Sequence, residues 1–462
     1  MDLRAKLARL RSMEPPAALF EPPEAPEQPV VSETAAYALE SAKAQRIAQL
    51  RALIGEVSAR DTKRRAPAPA EAQPEVPMWP CIETAHGALH VHERYLEPDH
   101  HHGQAPLRAG LCGQAGTVMA LLRDPLATDI DLSRALYLDT ETTGLAGGTG
   151  TVAFLVGLAR FVDGALCTEQ LIVRQLGAEA PVLARLAERI AAASCVITYN
   201  GKSFDWPLLR TRFVLARLPI PALPPHLDLL HVCRSLWKAR LPSVRLVDME
   251  REILHFERED DLPGSEIPAR YFEFLRTGSP AQLAAVLEHN QNDLIALSAL
   301  LGAVMGSFEH ARPLTDPCDA ISFGKLALRV GDAARAARFS AWALEHSVSR
   351  ADLRRALLFA SDVERQLGRS TEALARLEEA LLHTDDAHLR SRLHFKLAKH
   401  YEHEQRDLAR ALRHARNTEL TEGPVLHGRR LGRLHRRILR QHALHAVSEV
   451  MSLSPKDSMS PS

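Results

Sequence analysis

The chain has 462 residues, 46% of them hydrophobic, too long for one ordinary core and enough for roughly two to four domains. Lysine plus arginine and aspartate plus glutamate both number 57, which excludes a uniformly basic coat and leaves any nucleic-acid affinity to local patches. Six widely spaced cysteines without a C-x-x-C pair exclude a disulfide scaffold or zinc knuckle and fit a reduced cytoplasmic protein, and no apolar run reaches the roughly 18 residues of a membrane span.

Residues 1–80 read as a mostly disordered Pro-rich arm with short helices. The start, MDLRAKLARLRSM, lacks the apolar region of a secretory signal but places Leu3, Leu7 and Leu10 on one helical side. Stretches 14–30 and 65–80 are rich in Pro and Glu and bury too little apolar surface to offset their ordering entropy. Between them, Ala36 to Val57 reads as a helix with Leu39, Ile47, Leu50 and Ile54 on one face. Residues 81–130 read as a lead-in segment packed on the core. They carry His86, His90, His92 and His100 to His102, but no Cys or Asp spacing makes a metal site of them.

From Ala135 short apolar runs alternate with amphipathic stretches, and 131–308 reads as one α/β domain. ALYLDT, TVAFLVGLARF and ALCTEQLIVRQ are predicted strands, PVLARLAERIAAA a helix, CVITYN a strand, WPLLRTRFVLARL a helix and HLDLLHVCR a fifth strand, with helices to about residue 305. That order is the order of an RNase H-like mixed-sheet fold. After Pro317 the strand signals stop. Three predicted helical hairpins turn at Gly331-Asp332, Gly368-Arg369 and Arg406-Asp407, about 37 residues apart, so 319–445 reads as an all-α, tetratricopeptide-like solenoid. Residues 446–462 read as a disordered Ser/Pro-rich tail.

Asp139 and Glu141 stand two apart in a predicted strand, so both carboxylates share one sheet face. They lie where the chain leaves the sheet, the edge on which α/β proteins build sites. Asp205 follows a strand in NGKSFDWP, where an Asp before Pro also suits a helix cap. His289 and Asp293 are four apart in an otherwise apolar helix and so lie on one face of it. Four carboxylates with one imidazole suit two hard dications, Mg²⁺ or Mn²⁺, that activate water and stabilise a leaving oxygen. An imidazole suits the proton acceptor.

DTETTG at 139–144, NGKSFD at 200–205 and HNQND at 289–293 resemble the three motifs of the DnaQ-like DEDD exonucleases. DTETTGLAGGTG, TYNGKSFDWPLL, HLDLLHVCRSLW and DLPGSEIPARYFEFLRTG are more closely similar to the YprB-type RNase H-like family, which also carries a helical-repeat C-terminus. The resemblance covers about 81–305 well and the repeats loosely. It implies that Asp139, Glu141, Asp205 and Asp293 bind two metal ions, that His289 is the general base, and that a 3′-terminal phosphodiester of DNA or RNA is hydrolysed to nucleoside 5′-monophosphates. Three residues separate His289 from Asp293, the spacing of the branch that uses Tyr at that place. Thr142, Thr143, Gly144, Asn200, Lys202 and Phe204 are the expected substrate contacts. A protein partner is expected on the helical repeats.

GLAGGTG at 144–150 lacks the Lys-Ser/Thr of a phosphate loop, and GKSFD is not a nucleophile elbow around Ser203. Lys202, Arg234, Lys238, Arg240 and Arg245 are candidates for a phosphate groove or for ordinary solvated charge. HGRRLGRLHRRILRQ at 427–441 fits nucleic-acid phosphates or a solenoid-capping helix. His400 and His403 lack a third ligand. The same carboxylates would also serve a structure-selective endonuclease of this fold or a non-catalytic nucleic-acid-binding scaffold.

Overall fold

The computed structural model describes residues 79–111, 113, 115–122, 130–144, 150–309 and 314–452. The arm expected over 1–80 falls outside them but for its last two residues, as do Cys112, the Gly-rich turn from 145 to 149 and the end of the expected tail.

In chain order the first elements are β1 (Cys81–Thr84), β2 (Gly87–Leu96), the short ribbon β3 (His101–His102) and β4 (Ala105–Pro106), and α1 (Ala115–Leu122). The core follows as β5 (Ala135–Thr142), β6 (Ala153–Val162), β7 (Ala165–Ile172), α2 (Ala180–Ala192), β8 (Cys195–Thr198), α3 (Asp205–Leu215), β9 (His226–Asp228) and α4 (Leu229–Trp237). Then come α5 (Leu246–Met249), a π turn over Glu250–Leu254, α6 (Ile267–Thr277) and α7 (Ala284–Glu309).

The strands form one seven-stranded mixed sheet in the order β1-β2-β7-β6-β5-β8-β9. β5, β8 and β9 run parallel, and β6 and β7 fold back antiparallel on β5. The strands from β5 onward therefore give the RNase H-like order, and the lead-in segment extends the sheet through β2 on β7. Alternation along β5 divides the core between the two faces. Leu136 and Leu138 pack with Leu186 of α2 and with Leu209 and Phe213 of α3, whereas Tyr137 packs with Leu294, Leu297 and Leu301 of α7. Burial on both faces explains the nearly continuous apolar run of β6, broken only by Arg160 near its end.

HLDLLHVCR differs from the single strand expected. Only His226–Asp228 is strand. Asp228 then accepts the amide of Leu230 (3.1 Å) and caps α4, in which Leu229, Cys233 and Leu236 recur at helical spacing and are buried.

The C-terminal region is helical: α8 (Pro317–Arg329), α9 (Ala333–Glu345), α10 (Arg350–Gln366), α11 (Ser370–Leu382), α12 (Ala387–His403), α13 (Leu408–Ala415), α14 (Glu419–Glu422) and α15 (Pro424–Ser452). The three expected hairpins turn on Gly331, Gly368 and Arg406, with φ of 79°, 77° and 55°. Asp332 and Asp407 cap the second helices of the first and third by accepting the amides of Arg335 and Arg410. The last helix runs past the boundary expected at 445, there being no Gly or Pro between 433 and 454 to interrupt it. Its Arg430, Arg433 and Arg437 converge on Glu402, 2% exposed, while Leu434 is fully buried. That face of the basic segment closes the helical stack.

The two regions share one core. The cluster containing Tyr137 and α7 continues through Phe323, Phe339 and Phe359. Arg240 holds Asp319 through two guanidinium nitrogens (3.0 and 2.9 Å), and Trp237 meets Phe323 edge-on at 6.2 Å. Among the described residues no helix is long and apolar enough to cross a membrane.

Candidate active site

The sheet fold brings Asp139, Glu141, Asp205, His289 and Asp293 into one cavity of about 200 Å³ at the C-terminal end of β5. Asp139 and Glu141 project from the face that receives α7, and α7 brings His289 and Asp293 to them. Asp205 is the first residue of α3 and reaches the same place from the opposite face, where Thr140 Oγ1 donates to its Oδ1. The loop before α3 has a fixed shape. Asn200 is left-handed (φ 67°), as Asn tolerates, and its amide and that of Lys202 donate to Asp228 at 2.8 and 3.1 Å.

His289 is held from behind. Its Nδ1 lies 2.7 Å from Asp261 Oδ1, and its Nε2 faces Asp293 Oδ2 (3.6 Å) and Glu141 Oε1 (3.9 Å). The carboxylate at Nδ1 favours a proton there and leaves the Nε2 lone pair toward the cavity. Asp139 accepts from Asn290 Nδ2 (2.8 Å), and Asn290 Oδ1 accepts from Gln170 Nε2 (2.9 Å). Arg258, 5% exposed at its side chain, pairs with Asp293, Asp261 and Glu250, and Glu250 takes His102 as its second partner at 2.8 Å.

Burial first, and then the neighbouring carboxylates, raises Asp139 and Glu141 well above the usual carboxylate range. Asp205 is pushed up to about 6, chiefly by burial. Asp293 is also raised by burial, against the opposing pull of Arg258 and His289. Four acids so placed are unstable as anions together unless cations join them. Arg258 supplies a single charge, at Asp293. The donors fit hard dications: carboxylate oxygens throughout with one imidazole, and ligand atoms of Glu141, His289 and Asp293 mutually within 4.8 Å.

Residues 136–305 match a family model described as the RNase_H superfamily. The chain is also 32% identical over 309 residues to the uncharacterized protein YprB of Bacillus subtilis (strain 168), a match covering 66% of this chain and 73% of that protein. The chain belongs to the YprB-type RNase H-like family. It carries that superfamily's nuclease fold.

Of the residues expected to contact substrate in this YprB-type site, Thr142, Asn200 and Phe204 line the cavity. Thr143, Gly144 and Lys202 are placed outside it. Thr143 closes the neck of the loop, its amide donating to the Val152 carbonyl and its Oγ1 accepting from the Val152 amide (both 3.0 Å). The Thr142 hydroxyl donates to the Gly144 carbonyl at 2.9 Å. The lead-in histidines make no metal cluster among the described residues. His92 meets Gln170, His101 a backbone carbonyl and His102 Glu250. His400 pairs with Glu404 at 2.8 Å.

The sequence reasoning missed Asp261, Arg258, Asn290 and Asp228. Asn290 sits inside HNQND, and Asp261 and Asp228 inside stretches that carried the family resemblance, but only folding shows what each touches. Arg258 stands in an acidic loop with no motif or period to single it out.

Proposed function

We propose that this chain is a metal-dependent 3′→5′ exonuclease of the DEDD type. The observation that supports it is the convergence of Asp139, Glu141, Asp205, Asp293 and His289 on one cavity. In this reading the four carboxylates hold two divalent ions, Mg²⁺ or Mn²⁺, which when bound polarise the phosphodiester and stabilise the developing charge. His289 Nε2 takes a proton from the attacking water, and Asp261 keeps the ring turned toward it and stabilises the imidazolium formed. Thr140 and Asn290 fix the directions of Asp205 and Asp139. Phe204, Ile267 and Pro268 give the cavity an apolar wall against which a terminal base can rest.

End-labelled DNA and RNA, linear and circular, test this with Mg²⁺ and Mn²⁺ compared. Stepwise loss from 3′ ends, with circles spared, is the expected result. Asp139→Asn and Asp293→Asn are expected to abolish it, and His289→Ala to slow it about 10²–10⁴-fold. Cutting of circles would replace the exonuclease reading with an endonuclease. Undiminished cleavage by Asp139→Asn would overturn the site itself.

A further inference from the structure

A second cleft, of about 460 Å³, opens beside the 199–204 loop. Its walls carry Lys202 from that loop, His231 and Arg234 from α4, and Arg329 from α8, over Leu326. Topology sets it in line with the carboxylates. Asp139 and Glu141 end β5, Lys202 follows β8, and Asp228 ends β9, and these three strands are parallel neighbours. At ~4.8 Å per strand, the β9 end lies roughly 10 Å from the β5 end.

The cleft is cationic in effect. Asp228 is the one acid lining it among the described residues. Its oxygens turn inward to the amides of Asn200, Lys202 and Leu230, so little of its charge faces the cleft. Lys202, Arg234 and Arg329 are exposed and arrive from three separate elements. Lys238, Arg240 and Arg245 do not line the cleft: Lys238 bonds the Pro242 carbonyl, Arg240 bonds Asp319 and Arg245 bonds Asp248.

We propose that this cleft is a phosphate subsite for the substrate strand, one or two nucleotides from the scissile bond. Arg329 thereby makes the first helical hairpin part of the substrate path. The proposal rests on the nuclease reading and deepens it: contacts to the phosphates position the strand while the carboxylate cavity does the chemistry.

The test uses the full chain carrying Asp139→Asn and Asp293→Asn, with fluorescence anisotropy on labelled single-stranded DNA and RNA over a salt series. Arg234→Glu and Arg329→Glu are each expected to weaken binding at least about fivefold and to reduce the salt slope by ~0.7 for each phosphate no longer neutralised. Arg329→Lys should retain most of the binding, and thermal melts of each variant report folding. If a charge reversal unfolds the chain, Arg234→Gln and Arg329→Gln are read instead. Arg338→Glu, the same charge change at an exposed position of α9, is the control and should leave affinity alone. Unchanged affinity and slope in the cleft variants overturns the proposal, as does equal weakening by Arg338→Glu or absence of binding by the parent. The two readings fail separately. A chain that binds through these arginines but cuts nothing loses the nuclease reading, whereas one that cuts while its cleft variants bind normally loses the subsite. Competition by an acidic peptide at equal charge and length, in place of nucleic acid, would assign the cleft to a protein and also overturn it.

Discussion

Gly157 is a small residue on which the site's geometry depends. It lies directly across from Asp139 in the β5–β6 pair. A Cβ there would meet Asn290 Oδ1 at 2.2 Å and Nδ2 at 2.6 Å. Asn290 has no exposed surface and holds both Asp139 and Gln170, so it cannot swing away without leaving polar groups unpaired. Gly157→Ala should therefore cost about 3–9 kcal/mol, combining overpacking at ~1–3 with the loss of the two buried hydrogen bonds of Asn290 at ~1–3 each. A cost near the lower end leaves a domain of ordinary stability folded, but less stably. Asn290→Ala loses the same hydrogen bonds yet leaves room for the new methyl group. In that background Gly157→Ala should cost less than about 1 kcal/mol, a coupling of at least ~2 kcal/mol between the sites. Urea unfolding of the four proteins, followed by circular dichroism, measures this. Metal-dependent hydrolysis should fall in all three variants, because Asp139 loses the amide that aims it. Equal costs of Gly157→Ala in both backgrounds would refute the steric argument.

Other expectations concern charge and backbone. Because the folded state raises Asp205 to about 6, the folded chain keeps a proton that the unfolded chain releases as pH climbs from about 4 to about 6. This group's contribution to stability falls across that window. In chelator, Asp205→Asn should therefore gain on the parent as pH rises and level off above about 6, at no more than ~3 kcal/mol by thermal or urea unfolding. Arg258→Met leaves Glu250 buried with only His102 for a partner and should cost about 3–5 kcal/mol, whereas pairing it with Glu250→Gln should cost less than the sum of the single changes. Asp261→Asn should lower kcat more than it changes KM, with Asp261→Glu recovering part of the rate, since His289 keeps its place on α7 but loses the carboxylate at Nδ1. Arg406→Gly should raise the melting temperature, because a side chain held at φ 55° costs ~1 kcal/mol that Gly avoids.

The site acids were legible because motif spacing is local: two positions on a strand and four on a helix each fix a face. The layered order of the core was legible for the same reason, since each run carries its own period. What was missed at the site was decided by partners far along the chain, whereas the misread strand was decided locally. HLDLLHVCR is apolar enough for either structure, and the cap in which the Leu230 amide donates to Asp228 ends the strand early. Asp261 and Arg258 sit in a loop without period, and their roles come from meeting His289 and Asp293 some thirty residues later. Gly157 looked like one more small residue in an apolar strand, and only its register against Asp139 gives it weight. The basic helix near the end was ambiguous until Glu402 supplied a buried acid for three of its arginines.

The pairing of β2 with β7 over seven residue pairs, His90 to Leu96, bears on how this protein can be dissected. A fragment cut to the 136–305 family match would unzip that pairing and present β7 as a bare edge, an invitation to strand-to-strand polymerisation. It would also take Trp79 off Phe274 and leave Glu250 without its imidazole. At the other end, Phe323 and Phe359 would be torn from the interior they share with α7. The smallest stand-alone piece therefore begins by Trp79 and ends no earlier than α10.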